Sequence, residues 1–287
     1  MKRTLFLLPL IVFSWSLRAQ YFEVGGQIGL SNYVGDLSYN SSALYLGESH
    51  FAAGVFGRFN INQFMAVKLG LNYGSITGRD ENATDAFIRE RNLSFKSSLV
   101  EVGLTGEFNI PGFMPYNLAR PLSAYLFGGI GYTFFNPKAF YQGRWYDLQP
   151  LGTEGQGLPG FEAPYQKSTL VIPFGLGVKY ALTDQLNIGL EIGARRAFTD
   201  YLDDVSGNYV DFQTLLAGNG ELAAALGNRT GEYLGTEPVL GETGQRGDDK
   251  VADWYFLAGL SLSWNFLDNG LVGSRSRSTK RSGCKTY

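Results

Sequence analysis

Four short stretches of this chain hold residue types that could do chemistry. "FTDYLDDVSGNY" (198–209) sets Asp200, Asp203 and Asp204 within five positions, a density of carboxylates that could hold a divalent cation or handle a proton. The single histidine, His50, follows Glu48 and Ser49, so base, acid and hydroxyl are neighbours. "GTEGQG" (152–157) has the glycines of a phosphate-cradling loop, and "RGD" occupies 246–248.

None of these meets the demands of its chemistry. Positions 200, 203 and 204 lack the every-other-residue ligand spacing of a calcium loop and its closing Glu. The corner therefore reads as structural, with Asp and Ser capping turns and Tyr201 and Tyr209 anchored at a membrane rim. One imidazole would have to serve any hydrolytic scheme, and at a strand start it reads as a plain interfacial residue. "GTEGQG" has no Lys and no strand-to-helix setting, and "RGD" reads as chance. No catalytic residue, metal ligand or cofactor is expected, nor a nucleic-acid or small-molecule partner.

The elements that position these stretches are legible from composition and period. The 287 residues include 38 Gly, 15% aromatic residues and only 17% charged residues, which suits many short strands. Lys2 and Arg3 precede an apolar run from Leu5 to Leu17, and Ala19 ends a cleavable export signal over 1–19. That run is too short to span a bilayer as a helix, and nothing after it approaches the required length.

Eight later segments alternate apolar and small or polar residues with a period of two. The third has Met65, Val67, Leu69, Leu71 and Tyr73 against Lys68, Gly70, Asn72 and Gly74. The eighth has Trp254, Phe256, Ala258, Leu260, Leu262, Trp264 and Phe266 against Asp253, Gly259, Ser261, Ser263 and Asn265. The fifth is irregular, because Tyr125 and Phe127 stand on its small-residue face. Soluble sandwiches alternate too, but here the apolar faces end in aromatics and the opposite faces are glycines with a few charges. The expected fold is an all-β, eight-stranded antiparallel transmembrane β-barrel over 20–267, with lipid outside and a crowded lumen inside.

Short connections at 60–63, 109–121 and 181–185 alternate with long ones at 36–49, 79–91, 136–168 and 200–250. Short turns belong to the periplasmic side and long loops to the exterior, so both ends of the barrel face the periplasm of a Gram-negative outer membrane. "GNGELAAALGN" (218–228) suggests a short helix in the longest loop. The expected lumen carries Glu23, Glu101, Glu107 and Glu191 against Arg58, Lys68, Lys179 and Arg195. Such charges must pair to be tolerated, which argues for a plugged cylinder. Pro173 removes a ladder donor, so a bulge is expected there.

From Gln20 to Leu267 there are 16 basic and 25 acidic residues, a net −9. The tail over 268–287 is net +4, with Arg275, Arg277, Lys280, Arg281 and Lys285 available to dock an acidic partner or lipid headgroups.

Four stretches in order, "SSLVEVGLTGEFN" (97–109), "WYDLQPLGTEGQG" (145–157), "IPFGLGVKY" (172–180) and "FTDYLDDVSGNY" (198–209), resemble the PorG-like outer-membrane barrels of Bacteroidota. The resemblance marks Glu154, Asp200, Tyr201, Asp203 and Asp204 as family-motif loop residues. It implies a non-catalytic component of the type IX secretion and gliding apparatus, one that holds the periplasmic PorK/PorN-like ring at the outer membrane. The alternatives are a lipid-modifying outer-membrane enzyme built around His50 and a surface adhesion or shielding barrel built on the long loops.

Overall fold

A computed structural model describes residues 21–38, 46–115, 121–236 and 244–266. The signal at 1–19 and the tail at 268–287 lie outside the described residues. The strands are β1 (Tyr21–Val34), β2 (His50–Asn60), β3 (Met65–Arg79), β4 (Ser94–Ile110), β5 (Leu122–Tyr141), β6 (Arg144–Asp147), β7 (Ser168–Ala181), β8 (Leu186–Ala197) and β9 (Trp254–Phe266). Among the described residues, four short α-helices lie between strands: α1 (Ala86–Arg91), α2 (Phe212–Gly218), α3 (Glu221–Gly227) and α4 (Thr230–Leu234).

Each long strand pairs antiparallel with its neighbour in the order β4-β3-β2-β1-β9-β8-β7-β5, and a β4–β5 ladder closes the ring. Eight strands therefore form the expected barrel. The ninth, β6, is a four-residue hairpin partner on the outer end of β5, where the sequence suggested only loop. Closure leaves the spanning strands no free edge, which a lipid environment requires.

The period of two sets the two walls. Ile28, Phe51, Leu69, Leu104, Ile130, Leu176 and Leu260 are among the side chains exposed on the outer wall. Glu23, Arg58, Lys68, Glu107 and Lys179 are buried inside. Two glycines explain why β5 breaks its pattern. A Cβ on Gly177 would stand 2.4 Å from the Tyr125 ring, and one on Gly193 would stand 2.5 Å from Phe127. The two rings lie inside the barrel against bare backbone of the adjacent β7 and of β8 beyond it, so the irregular face is lumen filling.

Pro173 does not shift the register. Gly128 pairs with Phe174 and Gly131 with Val171, the same register on either side, and only the rungs between them are missing. The expected bulge is absent, because a missing donor removes rungs without inserting a residue, and Pro173 keeps its place opposite Arg195 on β8.

Phe22 pairs with Phe266, so the first and last strands end at the rim with the short turns. The other rim is taller. A spanning strand needs about 9–11 residues, whereas β4 has 17 and β5 has 20. Their surplus length carries an apolar core outside the membrane: Tyr33, Ile76, Phe95, Leu99, Phe135, Leu148, Val171, Leu202, Val205 and Leu226 are buried together there. The long loops are thus folded into a cap.

Candidate functional site

Two buried polar assemblies occupy this frame, one in the lumen and one in the cap. In the lumen, Arg58 pairs with Glu23 and, at 2.9 Å, with Glu107. Glu107 also takes Lys179 at 3.2 Å and Lys68 at 3.8 Å, and Lys68 pairs with Glu191. Arg195 reaches Glu101 at 3.3 Å, and Tyr255 donates to Glu101 at 2.5 Å. All eight predicted lumen charges are therefore brought together. Aromatic faces cover the cations: Arg58 lies 4.9 Å from the Phe56 ring, and Lys179 lies 4.9 Å from both Phe113 and Tyr125. Phe113, from the β4–β5 turn, is buried. Two cavities of about 20 Å³ each remain beside Gln27 and Asn72, room for about a water molecule apiece.

The cap is built differently. Tyr165 donates to Asp204 at 2.6 Å and Thr153 donates to the other Asp204 oxygen at 2.5 Å. Glu154 accepts from the Ser206 backbone at 3.0 Å and from Arg246 at 2.7 Å. The stretches at 145–157 and 198–209 thus dock directly on one another. Arg91 forks onto Asp80 at 2.7 and 2.8 Å and donates to the Asp36 carbonyl at 2.8 Å, tying α1 to the end of β1.

Four further carboxylates gather next to this clamp without an ion pair among the described residues: Asp36, Asp200, Asp203 and Asp253. The Tyr33 hydroxyl lies 2.7 Å from Asp203 and 2.7 Å from Asp253. A phenol has one proton to donate. Both contacts are hydrogen bonds only if one of the two acids keeps its own proton and donates it to the Tyr33 oxygen. Burial favours that neutral form, pushing Asp253 up to about 8, and burial together with the charges of Asp253 and Asp36 raises Asp203. Asp200, whose buried oxygens lie near Ser206 without a hydrogen bond of ordinary geometry, is pushed up to about 9 by burial and by Asp253. Burial raises Asp36 to about 6, and it raises Asp204 to about 6 against the pull of Arg246.

A family model described as "Domain of unknown function (DUF6089)" matches residues 2–224, about three-quarters of the chain. The chain belongs to the DUF6089 family. No curated protein matches it. Among solved structures, a major outer membrane protein from Thermus thermophilus is similar at 15% identity, with 87% of this chain and 100% of that chain covered and a TM-score of 0.43. The attachment invasion locus protein Ail of Yersinia pestis, solved with the heparin analogue sucrose octasulfate, is similar at 9% identity, with 86% and 99% covered and a TM-score of 0.40. Neisserial surface protein A is similar at 9% identity, with 84% and 95% covered and a TM-score of 0.38. The closed ring of strands with its exposed aliphatic wall makes this DUF6089 chain an outer-membrane-type β-barrel.

The remaining motifs fall into place on the DUF6089 barrel. Ser49, His50 and Glu48 do not form a relay: Ser49 accepts from Asn32 at 2.9 Å, His50 meets Thr77 at 2.8 Å and Glu48 accepts from Asn82 at 2.6 Å. Gly152, Gly155 and Gly157 of "GTEGQG" all have positive φ, which suits turns that present Thr153 and Glu154 to the corner. "RGD" is folded inward, with Arg246 buried and the Asp248 backbone donating to Asp36 at 2.8 Å. Tyr201 and Tyr209 are not rim anchors. Tyr201 stacks on Tyr165 at 4.5 Å and Tyr209 is buried, because the corner turns over the barrel mouth instead of out toward lipid. Arg275, Arg277, Lys280, Arg281 and Lys285 lie outside the described residues. Sequence reasoning misses Asp36, Arg91, Arg246 and Asp253. Arg246 lies within a motif that reads as chance, and Asp253 reads as the first polar position of the last strand.

Proposed function

We propose that this protein is a non-catalytic component of the type IX secretion and gliding apparatus, placed in the outer membrane to hold a PorK/PorN-like periplasmic ring. The observation that carries this reading is the filled lumen. Four acids and four bases pair across it, and the two cavities beside Gln27 and Asn72 admit about a water molecule each. A barrel of this kind conducts neither cargo nor ions, and a rigid wall-to-wall brace is what an anchor needs. Separation of Ser49, His50 and Glu48 into three unrelated contacts gives no support to the lipid-modifying alternative. The resemblance of four ordered stretches to PorG-like barrels supplies the machine. In this reading the short-turn rim and both ends of the barrel face the periplasm and the ring.

The test is deletion of the gene in its own host. The mutant is expected to retain type IX cargo inside the cell and to lose ring proteins from outer-membrane fractions. Normal export from a strain without a paralogue overturns the proposal.

A further inference from the structure

The outer wall of the barrel carries an unused feature above its aromatic girdle, where β4, β5 and β7 run past the lipid band. Tyr132 and Phe134 are exposed on that wall with ring centroids 5.3 Å apart, and Tyr132 shares a 2.9 Å hydrogen bond with Ser168. Beyond them the outward positions turn basic. Lys138 on β5 stands directly opposite Lys96 on β4. Directly opposed residues on one face have Cβ atoms about 5 Å apart, and like charges so placed repel. Lys167, exposed, immediately precedes Ser168, which pairs with Phe134. Lys138 is four residues past Phe134, about 10 Å further along the barrel axis at ordinary rise and tilt. That is headgroup height.

Little nearby neutralises these cations. Asp147 of β6 meets Lys138 at 3.0 Å. Lys167 donates to the neutral Asn136 at 3.3 Å and shares the single carboxylate of Asp147 with Lys138, and Lys96 lies 6.0 Å over the Trp145 ring, so one acid stands against three cations. Trp145 and Phe140, both half-exposed with centroids 5.4 Å apart, form an apolar ledge above the lysines. In a chain that is net −9 over 20–267, a cluster of cations facing outward at this height has one natural complement, an anion supplied by the membrane itself.

We infer that Lys96, Lys138 and Lys167 form a docking site for the phosphate of a lipid headgroup, with Phe140 and Trp145 closing it from the aqueous side. The opposed lysines are then bridged instead of repelling. This rests on the barrel lying in a membrane with its taller rim at one interface, and it does not depend on the secretion role.

The experiment uses the full mature chain in neutral detergent and counts bound lipids by native mass spectrometry, with phosphatidic acid and phosphatidylcholine as probes. Wild type is expected to take up phosphatidic acid with about tenfold preference, as charge-assisted hydrogen bonds of this number allow. The triple variant K96Q/K138Q/K167Q should lose about that factor, while R196Q, an exposed cation on the same wall elsewhere, should keep it. Equal uptake by wild type and triple variant overturns the site, and so does an equal loss in R196Q, which indicates diffuse attraction. Displacement of the lipid by millimolar inorganic phosphate reassigns the cluster to free phosphate and overturns the lipid assignment. Heat-modifiable gel migration of each variant reports folding. A chain that stays soluble and monomeric without detergent fails the barrel reading itself, whereas a folded barrel with unselective adducts fails only this site.

Discussion

In the lumen, Glu23, Glu101, Glu107 and Glu191 each have a cation in contact, four against four. In the cap, Asp203 and Asp253 share Tyr33, Asp36 and Asp200 lie close to Asp253, and the nearby guanidiniums of Arg91 and Arg246 are spent on Asp80, Glu154 and Asp204. Both regions bury carboxylates, Asp203 and Asp253 almost completely and Asp36 and Asp200 in part, yet the lumen meets them with cations whereas in the cap burial raises them toward the protonated form. The difference follows from where each sits. A charge at membrane depth is flanked by hydrocarbon, so its compensation must be built in as a side chain of opposite sign. The cap stands in the aqueous phase, where a buried acid can take its proton from solvent. Neutrality of the cap thus depends on pH.

The largest expected effect comes from breaking the lumen's balance. Glu107 is the hub, shared by Arg58, Lys179 and Lys68. Glu107→Gln leaves an uncompensated buried cation, a loss of about 3–5 kcal/mol. In heat-modifiability gels the unfolding temperature should fall by roughly 10 °C for a domain of this size. The double change E107Q/K179M removes a charge of each sign and should recover part of that loss. A single variant as heat-stable as wild type would show that pairing is not what holds the wall together.

An intermediate effect is expected in the cap, with the opposite sense. Acids whose folded pKa lies above their ordinary value make the folded cap bind protons that an open cap releases. Their contribution is full below the usual carboxylate range near 4 and is lost as pH rises through about 8 for Asp253 and about 9 for Asp200. Cleavage within 198–253 by a nonspecific protease, on folded barrel in detergent, should therefore speed up by at least about tenfold between pH 6 and pH 9, since each pKa unit of linkage lost in that window gives that factor. Asp253→Asn supplies a permanently neutral group and should flatten that profile, although it cannot donate to Tyr33 as well as an acid does. A profile unchanged by the substitution would place the proton elsewhere. Removing a carboxylate's charge thus harms the lumen and steadies the cap.

The two regions are also unequally legible in the sequence. The barrel wall follows from a period of two, because the repeat is local and each strand states it independently; Leu69 facing lipid and Lys68 facing inward need only their own neighbours. The same alternation collects the lumen charges, since every inward position of a small ring is near every other. The cap has no such period. Asp203 and Asp253 are 50 residues apart and meet only through Tyr33 on a third segment. The corner's spacing excludes a calcium loop but cannot show which long-range partners bury it. Tyr125 and Phe127 read as noise without Gly177 and Gly193 beneath them.

The smallest effect belongs to an ion pair that lies in neither region, and it tests whether environment, not charge chemistry, sets the other two. Arg79 and Glu81 meet at 3.0 Å on the long-loop rim, with side chains 54% and 63% exposed. Water screens such a pair, and holding two long side chains in one geometry costs much of what attraction gains. Glu81→Gln should shift the heat-modifiability temperature by no more than about 1 °C and leave the pH profile of cap cleavage intact, as an exposed pair worth about 0.5 kcal/mol or less requires. The carboxylate removed is the same kind of group as Glu107 and sits next to Asp80, one of the cap's clamped acids. A loss comparable with that of Glu107→Gln would mean that burial does not separate these sites, and the contrast between a paired lumen and a protonated cap would have to be explained by something other than access to water.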